Sequence, residues 1–172
     1  MRALLWIVAA LALLCVAPPA GAQEAINRFD VRIGAERGGG NVVSEAINVT
    51  AEGDQIRRGI FRDLPRYYES DGARVRYQYD VLGVSRNGRD EPYETSADGN
   101  AFRIRIGDPD VLIEHGAHQY ELCYRVRNQV RYFDSYDELY WNVTGTYCAF
   151  PIRAARATIV LPAGGRVTQY AD

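Results

Sequence analysis

Two short segments hold most of the side chains that could do chemistry. The first runs Asp134-Ser135-Tyr136-Asp137-Glu138-Leu139-Tyr140-Trp141-Asn142-Val143-Thr144-Gly145. Asp134, Asp137 and Glu138 are hard oxygen ligands for a cation. Asp137 or Asp134, taken with Glu138, would also supply the paired carboxylates of a glycan hydrolase. Trp141 and Tyr140 offer flat faces for a sugar, with Asn142 next to them in the chain. The second segment runs Arg57-Arg58-Gly59-Ile60-Phe61-Arg62-Asp63-Leu64-Pro65. Arg58, Arg62 and Asp63 would make an anion site or a charge network. Gly59 allows a bend or bulge, and Pro65 closes a strand.

Each segment also has a plainer reading, and the plainer reading is the expectation. Aspartate side chains order loops, a tryptophan plugs the end of a core, and arginines pair with acids beside a bulge. Arg58, Arg62, Asp63, Asp134, Asp137, Glu138, Trp141 and Asn142 are therefore candidate binding residues, and no residue is assigned to catalysis. His115 and His118 flank Gly116 and read as a surface turn. There is no Gly-x-Ser-x-Gly, no Ser/His/Asp cluster and no phosphate-cradling glycine loop. No metal and no cofactor is expected. Asn48-Val49-Thr50 and Asn142-Val143-Thr144 match the glycosylation acceptor, which matters only in a eukaryotic secretory pathway.

The elements that must position these residues are legible in composition and pattern. The 172 residues carry 20 basic side chains, all arginine, against 22 acids, for a net charge of -2. Hydrophobic residues are 47% and charged residues 24%. That length and balance give one globular domain. They exclude a basic nucleic-acid protein, a disordered acidic chain and a multi-span membrane protein.

The amino end reads as a cleavable secretory signal. Met1 and Arg2 precede an apolar run from Ala3 to Ala17, Pro18-Pro19 end it, and Ala20-Gly21-Ala22 is a small-x-small cleavage site. The run is shorter than the ~20 residues of a membrane span. Residues 1–22 are thus a signal peptide and 23–172 an exported domain on the periplasmic or extracellular face of a membrane. Cys15 leaves with the signal, and Cys123 and Cys148 remain. Two cysteines in an exported chain predict one disulfide. Alternation puts Cys123 on a charged face, so the bridge would be a surface link to a neighbouring strand.

The exported part alternates apolar and polar residues with period two. Phe29, Val31 and Ile33 form one apolar row, and Val43, Ile47 and Val49 another. Val75, Tyr77, Tyr79 and Val81 make a third, followed by Phe102, Ile104 and Ile106. Tyr120, Leu122, Tyr124 and Val126 come next, and Ala155, Ala157, Ile159 and Leu161 last. Turn signals separate the rows: Gly38-Gly39-Gly40-Asn41, Glu52-Gly53-Asp54, Asp71-Gly72, Asn87-Gly88, Asp98-Gly99-Asn100 and Gly107-Asp108-Pro109-Asp110. The expected fold is all-β, an antiparallel β-sandwich of immunoglobulin-like type. Outward arginines (Arg74, Arg76, Arg103, Arg105, Arg125, Arg127) are expected to pair with acids on neighbouring strands rather than form a face for a polyanion.

The combination resembles the amino-terminal domain of the predicted membrane proteins grouped as domain of unknown function 2207. The resemblance rests on Val42-Val43-Ser44-Glu45-Ala46-Ile47, on Arg58-Gly59-Ile60-Phe61-Arg62-Asp63-Leu64-Pro65, and on Tyr120 and Tyr124. Asp137-Glu138-Leu139-Tyr140-Trp141-Asn142-Val143-Thr144-Gly145 and the strand from Ile152 to Pro162 complete it. It implies an exported β-domain followed by transmembrane segments, with no established catalytic activity and so no catalytic residues to transfer. The chain stops at Asp172, where the membrane part would follow. Cys148 stands where similar sequences commonly have tryptophan, which makes the disulfide a local feature. The expected function is a non-catalytic β-sandwich that binds an envelope protein or glycan, tethered by a C-terminal membrane part absent from this chain. The alternatives are an envelope glycan hydrolase using Asp137 and Glu138, and a cation-stabilised adhesion module.

Overall fold

The computed structural model describes residues 23–70, 72–145 and 148–170. The signal peptide expected over 1–22 and Asp71 of the Asp71-Gly72 turn lie outside the described residues. Among those residues there are thirteen strands and no helix. They are β1 (Ala25–Ala35), β2 (Asn41–Ala51), β3 (Ile60–Pro65), β4 (Tyr67–Ser70), β5 (Ala73–Arg76), β6 (Gln78–Arg86) and β7 (Arg89–Asp90). The rest are β8 (Tyr93–Asp98), β9 (Ala101–Ile106), β10 (Gly116–Arg127), β11 (Val130–Tyr132), β12 (Asp137–Leu139) and β13 (Ala155–Val160). No helix among the described residues is long and apolar enough to cross a membrane.

Alternation dictates this outcome, because a pleated chain sends successive side chains to opposite faces. A six-stranded sheet runs β13-β1-β2-β10-β6-β7, and a three-stranded sheet runs β3-β9-β8. The hairpins β4–β5 and β11–β12 stand apart from both. Phe29, Val31 and Ile33 of β1 are buried together with Val43, Ile47 and Val49 of β2 and with Tyr120, Leu122, Tyr124 and Val126 of β10. Ile60 and Leu64 of β3 and Ile104 and Ile106 of β9 complete one apolar cluster. Each large side chain buried this way contributes about 1.5–3 kcal/mol. Asn87 and Gly88 both take positive φ, at 53° and 74°. They make the two-residue turn between β6 and β7 that an Asn-Gly pair favours.

The structure departs from the sequence expectation at several points. The fold is all-β, but β13 runs parallel to β1, with Phe29 opposite Ala155 and Gly34 opposite Val160. The strand order lends no support to the immunoglobulin-like label. The run from Val75 to Val81 is not one strand. Tyr77 breaks it by donating its backbone N–H to the Arg66 carbonyl at 2.9 Å, which lets the β4–β5 hairpin fold off the sheet. Strand β13 is exposed along its whole length. Ala155, Ala157 and Ile159 share the core side with the β1 residues opposite them, yet Ile159 is 51% exposed. His118 is buried rather than on a surface turn. Asn87 Oδ1 accepts from the Gln119 N–H, which fixes its amide to donate to His118 Nδ1 (3.2 Å), while His118 Nε2–H donates to the Glu114 carbonyl at 2.7 Å.

The expected disulfide is corrected: Cys123 and Cys148 are both free thiols. Cys123 projects from the outer face of the six-stranded sheet, with its Sγ 3.8 Å from Ser44 Oγ. Cys148 lies beside a hollow walled by Phe29, Ile47 and Val49 on the inner face. The sheet itself stands between the two sulfurs, and a bridge cannot span it.

Two glycines hold the entrance to β3 against the exit of β9. Gly59 has φ 116° and Gly107 has φ 121°. A Cβ on Gly59 would lie 1.8 Å from the Ile106 carbonyl oxygen, and one on Gly107 would lie 2.1 Å from the Arg58 carbonyl oxygen. No other residue fits either place. Gly59 thus marks a close backbone crossing, and it sets the start of the strand that carries Arg62.

Candidate functional site

Strand β3 reads Ile60-Phe61-Arg62-Asp63-Leu64, which puts Arg62 on the same face as Ile60 and Leu64, toward the core. Strand β2 likewise puts Glu45 in the row of Val43 and Ile47. The two meet where the sheets face each other. Arg62 Nε donates to Glu45 Oε2 at 2.7 Å and Arg62 Nη2 to Glu45 Oε1 at 2.9 Å, a bidentate pair. Arg62 is 6% exposed and Glu45 1%. The Tyr124 hydroxyl donates to Glu45 Oε1 at 2.9 Å. The Arg62 guanidinium also lies 5.1 Å from the centre of the Phe29 ring.

Burial by itself would lower the Arg62 pKa, but the charge of Glu45 and the bonds to it outweigh that and hold it above its ordinary value. Burial, then the adjacent Glu45 carboxylate, push the Tyr124 hydroxyl well above its usual value. Burial and the neighbouring Tyr77 do the same to Tyr79. Arg62 therefore stays cationic and both phenols stay neutral across the physiological range.

The second candidate segment closes over this pair. The Val143 and Thr144 carbonyls approach the Arg62 guanidinium at 3.4 Å. Asn142 Oδ1 accepts from the Gly145 N–H at 3.0 Å, which curls the loop back on itself. Gly145 has φ 78°, and a Cβ there would stand 2.7 Å from Arg62 Nη1. The Asn-Val-Thr-Gly run is thus a cap on a buried arginine. Two segments some eighty residues apart in sequence are one structural unit.

The other candidates are not brought together. Asp63 faces away from Arg62, forms a bidentate pair with Arg103 at 2.8 and 2.7 Å, and shares that arginine with Asp98. Arg58 is exposed, beside Gly59. Asp137 and Glu138 are neighbours on β12 and so project to opposite faces. Glu138 pairs across the hairpin with Arg131 at 3.3 Å. Asp134 is exposed in the turn between β11 and β12. Retaining and inverting hydrolases need two carboxyls facing one gap, and Asp137 and Glu138 lie on opposite faces of β12. Among the described residues, no three His, Cys, Asp or Glu side chains gather as metal ligands. Of the six outward arginines, three pair with acids, Arg103 with Asp63, Arg105 with Glu94 and Arg125 with Glu36, while Arg74 donates to the Asn100 side chain instead.

What remains open beside the capped pair is an aromatic cleft of about 230 Å3. Tyr68, Tyr77, Tyr140 and Trp141 line it together with Gln129, Arg131 and Asn142. Tyr68 and Tyr77 stack with centroids 5.0 Å apart, and the Arg131 guanidinium lies 5.2 Å over Tyr68. Gln129, 6% exposed, donates to the Tyr140 carbonyl at 2.6 Å and so fixes the segment after β12 that carries Tyr140 and Trp141. A second, apolar hollow of about 260 Å3 lies on the other side of Arg62, between Ile26, Phe29, Ile56, Phe61, Cys148 and Phe150.

Glu45, Tyr124 and Glu24 were missed as structural anchors. The signal for Glu45 was present: an acid in the apolar row of Val43, Ile47 and Val49. Arg62, between Ile60 and Leu64, repeats it with the opposite sign. Glu24 accepts backbone N–H bonds from Glu52, Asp54, Gln55 and Ile56 at 2.8–3.2 Å. Burial works against its charge, and those four donors overcome it and lower its pKa. No local pattern marks such a carboxylate, because its partners lie in a loop some thirty residues away.

The family described as "Predicted membrane protein (DUF2207) N-terminal domain" matches residues 25–171. The uncharacterized protein YciQ of Escherichia coli strain K12 is 32% identical over 138 residues, which are 80% of this chain and 22% of that protein. The chain thus spans about a fifth of that relative's length. Among solved structures, native yeast LTA4 hydrolase is 10% identical at a TM-score of 0.45, covering 62% of this chain and 15% of that one. An M1 zinc metallopeptidase from Deinococcus radiodurans is 15% identical at a TM-score of 0.43, covering 63% and 22%. Likeness at that level carries no argument about this chain. The match over residues 25–171, with both motif segments inside it, shows that the chain belongs to the DUF2207 family of predicted membrane proteins, as its amino-terminal domain.

Proposed function

We propose that this chain is the non-catalytic, extracytoplasmic binding domain of an envelope protein anchored in the membrane. Membership of a family of predicted membrane proteins supports the anchoring. The export signal read from residues 1–22 supports a location on the periplasmic or extracellular face. The partner is an envelope protein or glycan, and membrane association comes from polypeptide outside this chain.

One observation carries the non-catalytic reading. In the segment richest in acids and aromatics, Asn142 to Gly145 caps Arg62, Glu138 pairs with Arg131, and Asp137 projects to the opposite face of its strand, so the adjacent carboxyls do not share a gap. Its rings Tyr140 and Trp141 border a cleft, and aromatic rings at a cleft serve binding rather than acid–base chemistry.

The test uses residues 23–172 and washed envelope fragments. Saturable co-sedimentation that falls on Trp141→Ala, in a variant with native circular dichroism, is the expected result. Absence of any retention would refute the binding role. Release of reducing ends from envelope glycan, abolished by Glu138→Gln, would refute the non-catalytic one.

A further inference from the structure

Every charged group at the aromatic cleft already has a counterion. Arg62 is held by Glu45, Asp63 by Arg103, and Arg131 by Glu138. Arg62 and Asp63 are each held bidentately by their partners, so a charged ligand would have to compete with Glu138 for Arg131. The cleft instead offers planar amides and the rings of Tyr140 and Trp141, with the Arg131 guanidinium over one face of Tyr68 at 5.2 Å and one face of Tyr140 at 5.8 Å. Tyr140 is 60% exposed, and Trp141, partly buried against the core, lines the cleft. Asn142 engages Gly145 through its oxygen, and its amide nitrogen has no partner among the described residues. Tyr77, 7% exposed, forms part of the cleft wall.

Stacked rings beside amide and hydroxyl groups are complementary to a ring that is apolar on its face and hydroxylated at its edge. The volume of about 230 Å3 falls below the ~300–1,000 Å3 of pockets for drug-sized ligands, so one such ring fits. We infer that the cleft bounded by Tyr68, Tyr77, Tyr140 and Trp141 is a subsite for one neutral pyranose unit of an envelope glycan. The inference rests on the binding role proposed above and names its ligand. Tyr140 and Trp141 supply the stacking platform. The Asn142 amide meets the sugar hydroxyls. Gln129 positions the platform from beneath.

Trp141 is the sole tryptophan of residues 23–172, so intrinsic emission reports on this cleft directly. Residues 23–172 are titrated with a neutral N-acetylglucosamine tetrasaccharide and with maltotetraose, with inorganic phosphate and a polyphosphate as charged controls. The expected result is a saturable change in Trp141 emission with a neutral oligosaccharide and none with the anions. Tyr140→Ala, which leaves the Tyr140 carbonyl on Gln129 intact, should weaken the apparent affinity about tenfold. Calorimetry on Trp141→Phe should weaken likewise, which keeps the test independent of the fluorophore. No response to either sugar while envelope co-sedimentation persists overturns the sugar subsite and leaves the binding role standing. Loss of both overturns both. Sugar binding unchanged in Tyr140→Ala and Trp141→Phe places the ligand elsewhere and overturns the inference.

Discussion

Glu45→Gln keeps the size of the side chain and removes its charge, and it isolates the bond between the two sheets. The variant leaves the Arg62 guanidinium 6% exposed with no counterion, ringed by carbonyls at 3.4 Å. Removing one partner of a buried ion pair costs about 3–5 kcal/mol. A domain has only about 5–15 kcal/mol in total, so the variant should stay folded in the cold and melt far lower. At about 2–4 °C per kcal/mol, the expected fall in Tm is about 6–20 °C. Arg62→Met should cost a similar amount, because it strands the Glu45 carboxylate with one hydrogen bond from Tyr124. The double variant removes both charges together and should cost less than the sum of the singles by about 1–3 kcal/mol. Urea denaturation of residues 23–172 measures all three, with the slope expected to stay constant. The reasoning fails if either single variant costs under about 1 kcal/mol, or if the two add to within about 0.5 kcal/mol.

Other perturbations follow from the same geometry. Gly59→Ala places a methyl 1.8 Å from the Ile106 carbonyl at a φ of 116° and should destabilise by about 3 kcal/mol or more, while Gly72→Ala, with nothing near its Cβ, should cost only the strain of its positive φ, about 1 kcal/mol; equal urea midpoints would contradict this. Glu24→Gln should cost about 1.5–3 kcal/mol at neutral pH. The folded Glu24 pKa is lowered, so its stabilisation is complete above the ordinary carboxylate value of 4.5 and drains away as pH falls below it. The gap in stability between wild type and Glu24→Gln should therefore shrink in acid, and a gap independent of pH would count against the assignment. Denatured, unreduced protein of residues 23–172 should titrate with thiol reagent at both Cys123 and Cys148, and a Tm that drops on adding reductant would show a bridge instead.

Strands were legible in the sequence because their signal is local. Period-two alternation assigns each side chain to a face, and turn residues such as Asn87-Gly88 mark where the chain reverses. Family membership was legible for a related reason. The Arg58–Pro65 and Asp137–Gly145 segments each hold residues that the fold pins in place: Gly59 by the Ile106 carbonyl, Gly145 by Arg62, and Asn142 by the turn it closes.

The purpose of those residues was not legible. Alternation says that Arg62 and Glu45 lie on apolar faces, but not that the two faces are opposed, and without the partner each looks like a candidate binding charge or an anomaly. Adjacent acids such as Asp137 and Glu138 look like a catalytic pair in one dimension and are separated by the pleat in three. Cys123 and Cys148 look like a disulfide until the sheet comes between them. The parallel placement of β13 depends on a long-range contact with β1 that no turn signal announces. Local periodicity determined the elements and the face each residue takes. Only the packing of one sheet on the other decided which charges neutralise each other inside and which rings remain open at the surface.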